Sequence, residues 1–297
     1  MLTAFQSSGL FLRGNLHCHS SLSDGDPTPE RVCAFYEQSG YDFISLTDHF
    51  MEQYDYPVVD TSSYRTKEFT TLIGSELHAP GIGNGEIWHV VANGLPLDFA
   101  PQLNETAAQL TQRALDVGAF VSLAHPAWYG LTLEDALELP QVHAVEVYNS
   151  ICDWETSRGD GGYLIDQLLN SGRHTGVIAT DDAHRYQGEV CRGWVMVKAE
   201  TNTPEAILEG LKAGAYYASQ GPDFLHVEID GDFLNVETSP VSSVWLVGQA
   251  ARSKVVMGED ITHARLPLEK FAGGWARLVI AEENGTRAWS NPLHLAR

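Results

Sequence analysis

Basic residues are scarce in this chain. Its 297 residues contain 18 Lys and Arg against 39 Asp and Glu, which gives a formal net charge of −21. Proteins that bind long nucleic acids normally present a basic surface, so this balance argues against a polynucleotide partner. Bound divalent ions would offset part of the charge locally, so small phosphorylated ligands are not excluded. We therefore expect no long nucleic acid as a partner, and the charge balance says nothing about small phosphorylated substrates.

Long apolar runs and paired cysteines are also absent from the sequence. No segment is long and apolar enough to span a bilayer, and the first residues, MLTAFQSSGLFLRG, lack the basic start and apolar run of a signal peptide. The four cysteines (Cys18, Cys33, Cys152 and Cys191) include no close pair, so neither a CxxC zinc site nor a disulfide framework is predicted. We expect a reduced, cytoplasmic location and no membrane association. The sequence does not indicate an oligomeric state.

Common catalytic motifs are missing too. The sequence contains no GxxxxGKS/T phosphate-binding loop, no GxGxxG dinucleotide-binding turn and no GxSxG nucleophile elbow. Hydrolysis of a phosphoester or an acyl group would therefore have to depend on metal ions.

The pattern of secondary structure changes once along the chain. Predicted strands cover residues 12–17, 43–47, 72–76, 87–92, 120–124, 144–148, 175–179 and 193–197, and predicted helices cover residues 29–39, 105–117, 133–137, 162–171 and 204–213. This alternation predicts a parallel sheet wound into an α/β barrel, with the active site at the carboxyl ends of its strands. After about Pro222, turn residues separate short strand-like runs and no helix is predicted. We expect a barrel over residues 1–222 and a small all-β accessory domain over residues 223–297.

Residues with metal-binding side chains recur along the first 184 positions, and most of them follow an apolar strand. They are His17, His19, Asp24, His49, Glu76, His89, His125, Asp182 and His184. Imidazole and carboxylate groups are the donors that zinc, manganese and iron ions accept in proteins. A single such residue is usually structural, but a repeated series of this kind indicates a multinuclear metal centre.

The spacing within this set supports the same interpretation. His17 and His19 lie two residues apart on a predicted strand, so their side chains leave the same face and can bind one ion. Asp182 and His184 repeat this spacing beyond another strand. Cys18 must point the opposite way, and we interpret it as a buried apolar residue rather than a thiolate ligand.

The segments HCHSSLSDG, ISLTDH, GSELHA, SLAHPA and TDDAHR resemble the successive motifs of the polymerase and histidinol phosphatase (PHP) family of metal-dependent phosphoesterases. The resemblance covers roughly residues 12–220 and implies a distorted (β/α)7 barrel that holds two or three divalent ions (Mn, Zn or Fe). It implies a first ion at His17, His19, Glu76 and Asp182, a second at Asp24, His49 and His184, and a third at His89 and His125 with Glu76 bridging.

Two features qualify this resemblance. The later segments VHAVEVYNS, CRGWVMVKAE and AGAYYASQGP are similar to a branch that includes carbaryl hydrolase relatives, which admits carbamate or carboxyl-ester hydrolysis. Many members have serine where this chain has Asp181. Asp182 keeps the spacing to His184 and is the expected ligand, while Asp181 is predicted to orient a ligand histidine.

Candidate substrate-binding residues surround these motifs. Arginines after the last motif are candidates for contacting a phosphate oxygen, although pairing with a carboxylate is an equally good explanation for each. His78 shares a strand face with Glu76, as a possible ligand, but we assign it to the substrate pocket. Residues at the end of the predicted strand 144–148 complete the set, because the active site of such a barrel lies at the carboxyl ends of its strands. The predicted substrate-binding residues are Arg185, Arg192, His78, Tyr148 and Asn149.

The predicted activity is metal-dependent hydrolysis, with His17, His19, Glu76, Asp182 and His184 as the catalytic residues. A hydroxide bridging two ions would attack the phosphorus of a small phosphorylated molecule. The alternative is hydrolysis of a carbamate, ester or amide at the same centre. A third hypothesis is a non-catalytic binding module in which the metals are structural.

Overall fold

The structure of the protein is a computed structural model that describes residues 3–296. Within this range there are seven α-helices: α1 (Thr3–Gln6), α2 (Pro29–Gln38), α3 (Ala107–Asp116), α4 (Leu133–Glu138), α5 (Ser150–Thr156), α6 (Gly162–Asn170) and α7 (Pro204–Lys212). The same range contains sixteen strands: β1 (Leu10–Asn15), β2 (Phe43–Leu46), β3 (His49–Phe50), β4 (Thr70–Pro80), β5 (Ile87–Asn93), β6 (Phe120–Leu123), β7 (Ala144–Asn149), β8 (Gly176–Thr180), β9 (Trp194–Ala199), β10 (Tyr216–Ser219), β11 (Phe224–Asp230), β12 (Phe233–Gly248), β13 (Ser253–Pro267), β14 (Trp275–Ala281), β15 (Arg287–Ser290) and β16 (Leu293–His294).

Local sequence explains several of these helices. Helix α3 begins after Thr106, whose hydroxyl accepts the backbone N–H of Gln109 while the Gln109 side chain accepts the N–H of Thr106. Thr132 and Asp135 form the same reciprocal cap at the start of α4. Each cap satisfies two backbone donors that a helix start would otherwise leave unpaired. All five predicted helices are present, whereas α1 and α5 were not predicted.

The sheet mixes parallel and antiparallel pairing. Strands β1, β2 and β4 are parallel, as are β6, β7 and β8. The prediction of a parallel sheet is wrong at β5, which pairs antiparallel with both β4 and β6. Only residues 81–86 separate β4 from β5, which is too short for a helical crossover, so the two strands form a hairpin. Strand β9 also runs antiparallel to β1 and β10.

The strand path is open. Among residues 3–296 it runs in the order β11-β12-β14-β15-β10-β9-β1-β2-β4-β5-β6-β7-β8, and β8 forms a ladder only with β7. A single bridge between Cys18 and Ala183 links the loops that follow β1 and β8. The fold is therefore a mixed α/β structure with one large unclosed sheet, and a closed (β/α)7 barrel stays a prediction.

The C-terminal strands β11–β16, which we call the β tail, continue this sheet. Strand β15 pairs with β10, so hydrogen bonding crosses the predicted boundary at residue 222. The tail has its own apolar cluster, centred on residues such as Leu234, Val244 and Phe271. It also contacts α6, where the Trp275 indole donates to Asn170 Oδ1 at 3.0 Å. The division into two domains at this boundary stays a prediction.

Candidate metal centre

The structure brings all nine predicted ligands into one cluster that is mostly buried, although 167 positions separate the first from the last. His17 and His19 follow β1 and Asp182 follows β8, and both imidazoles lie within 3.1 Å of Asp182 Oδ1. The cluster extends to Asp24, whose Oδ1 lies 3.3 Å from Nε2 of both His49 and His184. The sequence spacing thus predicted which residues converge.

Glu76 lies at the centre of the cluster and is fully buried. Its Oε1 lies 2.8 Å from His89 Nδ1 and 3.2 Å from His125 Nε2. Its Oε2 lies 2.6 Å from His49 Nδ1, yet among residues 3–296 no donor makes a hydrogen bond of acceptable geometry to this oxygen. A buried carboxylate oxygen that is ringed by imidazole nitrogens and lacks a hydrogen bond fits a metal ligand. The residues present therefore suit bound divalent ions.

Four overlapping groups of donors lie close enough to share an ion. The ligand atoms within each group are at most 4.8 Å apart, and the groups are His19-Asp24-His49-His184, His17-His19-Asp182, His17-Glu76-His125 and His49-Glu76-His78. The first three correspond in large part to the ligand sets implied by the family resemblance. The fourth adds His78, which we had assigned to the substrate pocket.

Hydrogen bonds fix which nitrogen of several histidines faces the cluster. The N–H at His184 Nδ1 donates to the carbonyl oxygen of Asp182 at 2.8 Å, so Nε2 is the atom available beside Asp24. The N–H at His78 Nδ1 likewise donates to the Trp88 carbonyl at 3.0 Å, which leaves its Nε2 lone pair facing the cluster. A partner on one ring nitrogen is the usual way to orient a metal-binding imidazole. His78 is therefore placed as a ligand could be.

Glu146 orients the His17 ring by a hydrogen bond to the nitrogen that faces away from the cluster. Its Oε1 accepts the His17 Nδ1–H at 2.8 Å and the Thr180 hydroxyl at 2.8 Å. Its Oε2 accepts the backbone N–H of His125 at 2.7 Å and the Asn149 amide at 2.8 Å. This fully buried carboxylate leaves His17 Nε2 free for a metal. In the sequence, the only sign was that Glu146 alternates with Tyr148 at the end of an apolar strand.

Asp48 organises the loop that carries Asp24. Its carboxylate accepts the Ser20 N–H at 2.7 Å, the Ser20 hydroxyl at 2.7 Å and the Ser23 hydroxyl at 2.6 Å. Gly25 then lets the loop fold back, because a Cβ at this position would lie 2.7 Å from the His19 carbonyl oxygen. The serines and the glycine of SSLSDG thus position Asp24.

Two ligands have unusual backbone conformations. His125 has φ of 25° and Asp182 has φ of 53°, a region that non-glycine residues rarely adopt. The Asp182 N–H donates to the His17 carbonyl at 2.9 Å, and Asn149 donates to Asp182 Oδ2 at 3.0 Å. Such local strain is characteristic of functional sites, where surrounding contacts hold the conformation.

The prediction that Asp181 orients a ligand histidine is wrong. Its carboxylate accepts the Tyr36 hydroxyl at 2.9 Å and the backbone N–H groups of Cys191, Arg192 and Gly193 at 2.7 to 3.0 Å. Burial raises the pKa of Asp181 to about 6, although these donors oppose the shift. Asp181 therefore anchors the loop before β9, on the opposite side from Asp182.

The carboxylates at the centre are held in their charged form. Burial opposes ionisation of Glu76, but the surrounding imidazoles, His49 first, outweigh it and hold its pKa well below the usual value. The pKa of Asp182 is likewise lowered, because His17 and His19 outweigh its burial. The cluster thus presents ionised oxygens, the form that binds metal.

A cavity of about 310 Å³ opens onto this cluster. One wall is helix α5, which contributes Ile151, Cys152, Glu155 and Thr156. Trp128 lies at the mouth, with 37% of its surface exposed. We did not predict α5, because its seven residues SICDWET have no helical apolar pattern.

Of the predicted substrate residues Arg185, Arg192, Tyr148 and Asn149, only Arg185 lines the cavity. Arg185 lines the cavity, where its guanidinium lies 3.2 Å from Glu155 Oε1. Arg192 stacks its guanidinium over the Trp154 ring, with 4.8 Å between them, and is not among the residues lining the cavity. Asn149 contacts Asp182 instead of the open space.

Tyr148 also points away from the cavity. Its ring stacks on Trp289 of the β tail, with centroids 6.4 Å apart, and its hydroxyl lies 3.3 Å from Asp153 Oδ2. Cys18 is fully buried, as expected for an apolar filler. All four cysteines are free. No helix in the described part of the chain is long and apolar enough to cross a membrane.

No protein-family model matches this chain, and no curated protein matches it. Among solved structures, a two-domain protein from Bacteroides vulgatus that contains a predicted PHP-like metal-dependent phosphoesterase is 18% identical, with a TM-score of 0.54, over 99% of both chains. A candidate metal-dependent phosphoesterase from Bifidobacterium adolescentis is 14% identical over 58% of this chain and 87% of its own, with a TM-score of 0.42. An amidohydrolase from Chromobacterium violaceum with bound sulfate and no metal is 13% identical over 60% of this chain and 89% of its own, with a TM-score of 0.43.

The match to the Bacteroides vulgatus protein compares folds, since its sequence identity is low. The other two matches cover less of this chain and add nothing to that comparison. The branch that includes carbaryl hydrolase relatives stays a prediction. Over nearly its whole length, the chain shares its fold with a two-domain protein that contains a predicted PHP-like metal-dependent phosphoesterase.

Proposed function

We propose that this protein is a divalent-metal-dependent hydrolase that cleaves small phosphorylated molecules. The observation that carries the proposal is the buried Glu76 carboxylate, which lies within 3.6 Å of imidazole nitrogens from six histidines. Six imidazoles around one carboxylate are hard to explain as a structural ion pair, because a single negative charge can balance only one protonated ring.

The donor set suits two or three ions of manganese, zinc or iron. Imidazole and carboxylate ligands favour these metals over calcium and magnesium, which prefer oxygen ligands alone. When bound, such ions polarise a phosphoryl oxygen and lower the pKa of water. The chain's own contribution is to hold the ligands in position, through Glu146 behind His17 and Asp48 behind Asp24.

The residues around the cavity suit a small anionic substrate. The Arg185 side chain is 63% exposed, and among residues 3–296 it pairs only with Glu155, itself 40% exposed. A phosphate oxygen can therefore replace that partner at little cost. Arginine and phosphate form strong two-point hydrogen bonds. Trp128 and helix α5 line the cavity beside the cluster and offer apolar surface to the rest of the substrate. We place phosphate at the metal cluster and the rest of the substrate toward Trp128.

The test begins with metal removal and reconstitution. We expect a chelator to abolish hydrolysis of a phosphomonoester such as p-nitrophenyl phosphate, and Mn²⁺, Zn²⁺ or Fe²⁺ to restore it. Metal content is measured by elemental analysis at each step. Full activity in protein shown to be free of metal would refute the proposal.

A second arm of the experiment distinguishes the substrate class. The reconstituted protein is given phosphomonoesters and, separately, naphthyl acetate and a naphthyl carbamate. Turnover confined to the acetate or the carbamate would favour the alternative, hydrolysis of a carbonyl compound at the same centre. Bound metal with no turnover of any compound would favour a binding module.

A further inference from the structure

A second cavity lies between the β tail and helix α6, on the other side of β7 from the metal cluster. We call it the tail cleft. Its volume of about 550 Å³ is within the range of small-molecule sites. It is lined by Val147, Asp160, Gly162, Tyr163, Asp166, Trp245, Val247, Arg277, Val279, Arg287 and Trp289. None of the nine predicted metal ligands is among these residues.

The floor of the tail cleft is a row of side chains across three strands. Trp245 on β12 pairs with Val279 on β14, which pairs with Trp289 on β15, so the three side chains share one face of the sheet. Arg277 and Arg287 lie two residues before Val279 and Trp289, and strand alternation puts them on that face as well. The floor therefore consists of two indole rings with an arginine on either side.

Arg277 is a buried cation with unused hydrogen-bond donors. Only 9% of its side chain is exposed, and its Nε donates to Asp166 Oδ1 at 3.0 Å. Arginine has five N–H donors, and among residues 3–296 the four on its terminal nitrogens have no acceptor. These terminal nitrogens are not fully enclosed and reach the open space of the tail cleft, so a ligand bound there can supply their acceptors.

The opposite wall carries acceptors. One oxygen of Asp160 accepts the Gly162 N–H at 2.7 Å, and one oxygen of Asp166 accepts the Arg277 Nε–H. The second oxygen of each carboxylate is available to a ligand. Two arginines and two aspartates leave the lining without net charge. An anionic ligand would be repelled by the aspartates, and an apolar one would leave Arg277 unsatisfied. The lining therefore suits a neutral ligand with many donors and acceptors.

We propose that the tail cleft is a binding site for a neutral saccharide. The hydroxyl groups of a sugar both donate to the free aspartate oxygens and accept from the arginine N–H groups. Its C–H faces carry a weak positive charge and pack against the negative face of the half-buried Trp245 ring, whereas the buried Trp289 ring supports the floor. This site does not depend on the metal centre or on the proposed hydrolysis.

The experiment measures binding of maltose and cellobiose to the full chain, by saturation-transfer NMR and by calorimetry. We expect one of them to bind with a dissociation constant on the order of 1 mM or lower. Trp245→Ala should raise that constant about tenfold or more. Arg287→Ala provides a second variant that is safe for the fold, because Arg287 is exposed. Trp128→Ala is the matched control, since it removes an indole from the metal cavity instead.

The outcomes are distinct. Weakened binding in both tail-cleft variants with normal binding in Trp128→Ala supports the proposal. Loss of binding only in Trp128→Ala would place the sugar in the metal cavity and overturn it. Failure of both sugars to bind would also overturn it, and binding of benzoate in place of the sugars would show that the ligand is anionic. Because none of these measurements uses hydrolysis, they are unaffected if the proposed function is wrong.

Discussion

Replacing Glu146 by glutamine tests how the predicted metal ligands are held in position. The carboxylate accepts four hydrogen bonds, two at each oxygen, including the one from His17 Nδ1. A glutamine keeps two acceptor positions, but its NH₂ group would face two donors that can no longer be paired. If the NH₂ group faces His17, the ring is free to rotate and its Nε2 is no longer directed at the cluster.

Two effects follow, with different magnitudes. Loss of the group that orients a ligand histidine typically weakens metal binding or activity about 10-fold to 100-fold. The donors left unpaired in the interior should lower the free energy of unfolding by about 1–3 kcal/mol. Both effects are expected in Glu146→Gln. The control is Glu138→Gln, which makes the same chemical change at an exposed position of helix α4.

The assay separates orientation from stability. Metal affinity is measured by competition with a chelator of known affinity, and stability is measured by urea unfolding of the metal-free protein. Unchanged metal affinity in a folded Glu146→Gln variant would refute the role of Glu146 in orienting His17. A loss of stability alone would show that Glu146 is only a structural acceptor.

Three further predictions use other parts of the chain. Asp182→Asn should lose metal, whereas Asp181→Asn should keep metal and lose stability, because of the two only Asp182 faces the cluster. Elemental analysis measures the metal content and urea unfolding measures the stability. Reversed results would refute our assignment of the two carboxylates. His226→Ala should retain its full metal content, because His226 lies on β11 beside Glu228 and outside the cavity; loss of metal with an intact fold would extend the site into the β tail. Burial, aided by Lys212, lowers the pKa of His143, whose Nδ1 accepts the Val121 N–H at 3.0 Å. The folded state therefore favours the neutral form of His143. This preference adds to the free energy of unfolding above the unfolded-state pKa of about 6.5, and the contribution is lost as the pH falls below that value. His143→Asn keeps an acceptor but does not titrate. Its free energy of unfolding should therefore change less between pH 7 and pH 5 than that of the original chain, and an equal change with pH in both proteins would contradict this.

The sequence alone determined which metal-binding side chains converge and most of the secondary structure near them. The same-face spacing of His17 and His19 is a property of any extended strand, so their convergence could be predicted without knowing the fold. Helix α3 was predictable for a similar reason, because Thr106 and Gln109 form a cap within four consecutive residues. These signals depend only on residues that are close together in the sequence, so they are the same in any tertiary context.

Only the tertiary structure decided which groups support the ligands. Glu146 reaches His17 across 129 positions, and Asp181 reaches Tyr36 across 145, and no local pattern marks either contact. The spacing to His184 favours Asp182 over Asp181 in the sequence, but only the structure shows that the Asp181 carboxylate bonds to Tyr36 and to the loop before β9.

The antiparallel β5, the open strand path and the tail cleft were likewise beyond the sequence. The open path and the tail cleft depend on pairing between strands that are distant in the chain. The direction of β5 was not predicted because an apolar strand can pair in either direction with the same residue pattern. Trp245 and Trp289 share a face only because β12, β14 and β15 align in one register. Local periodicity determines which residues share a face of one strand, but only the assembled sheet determines which faces meet.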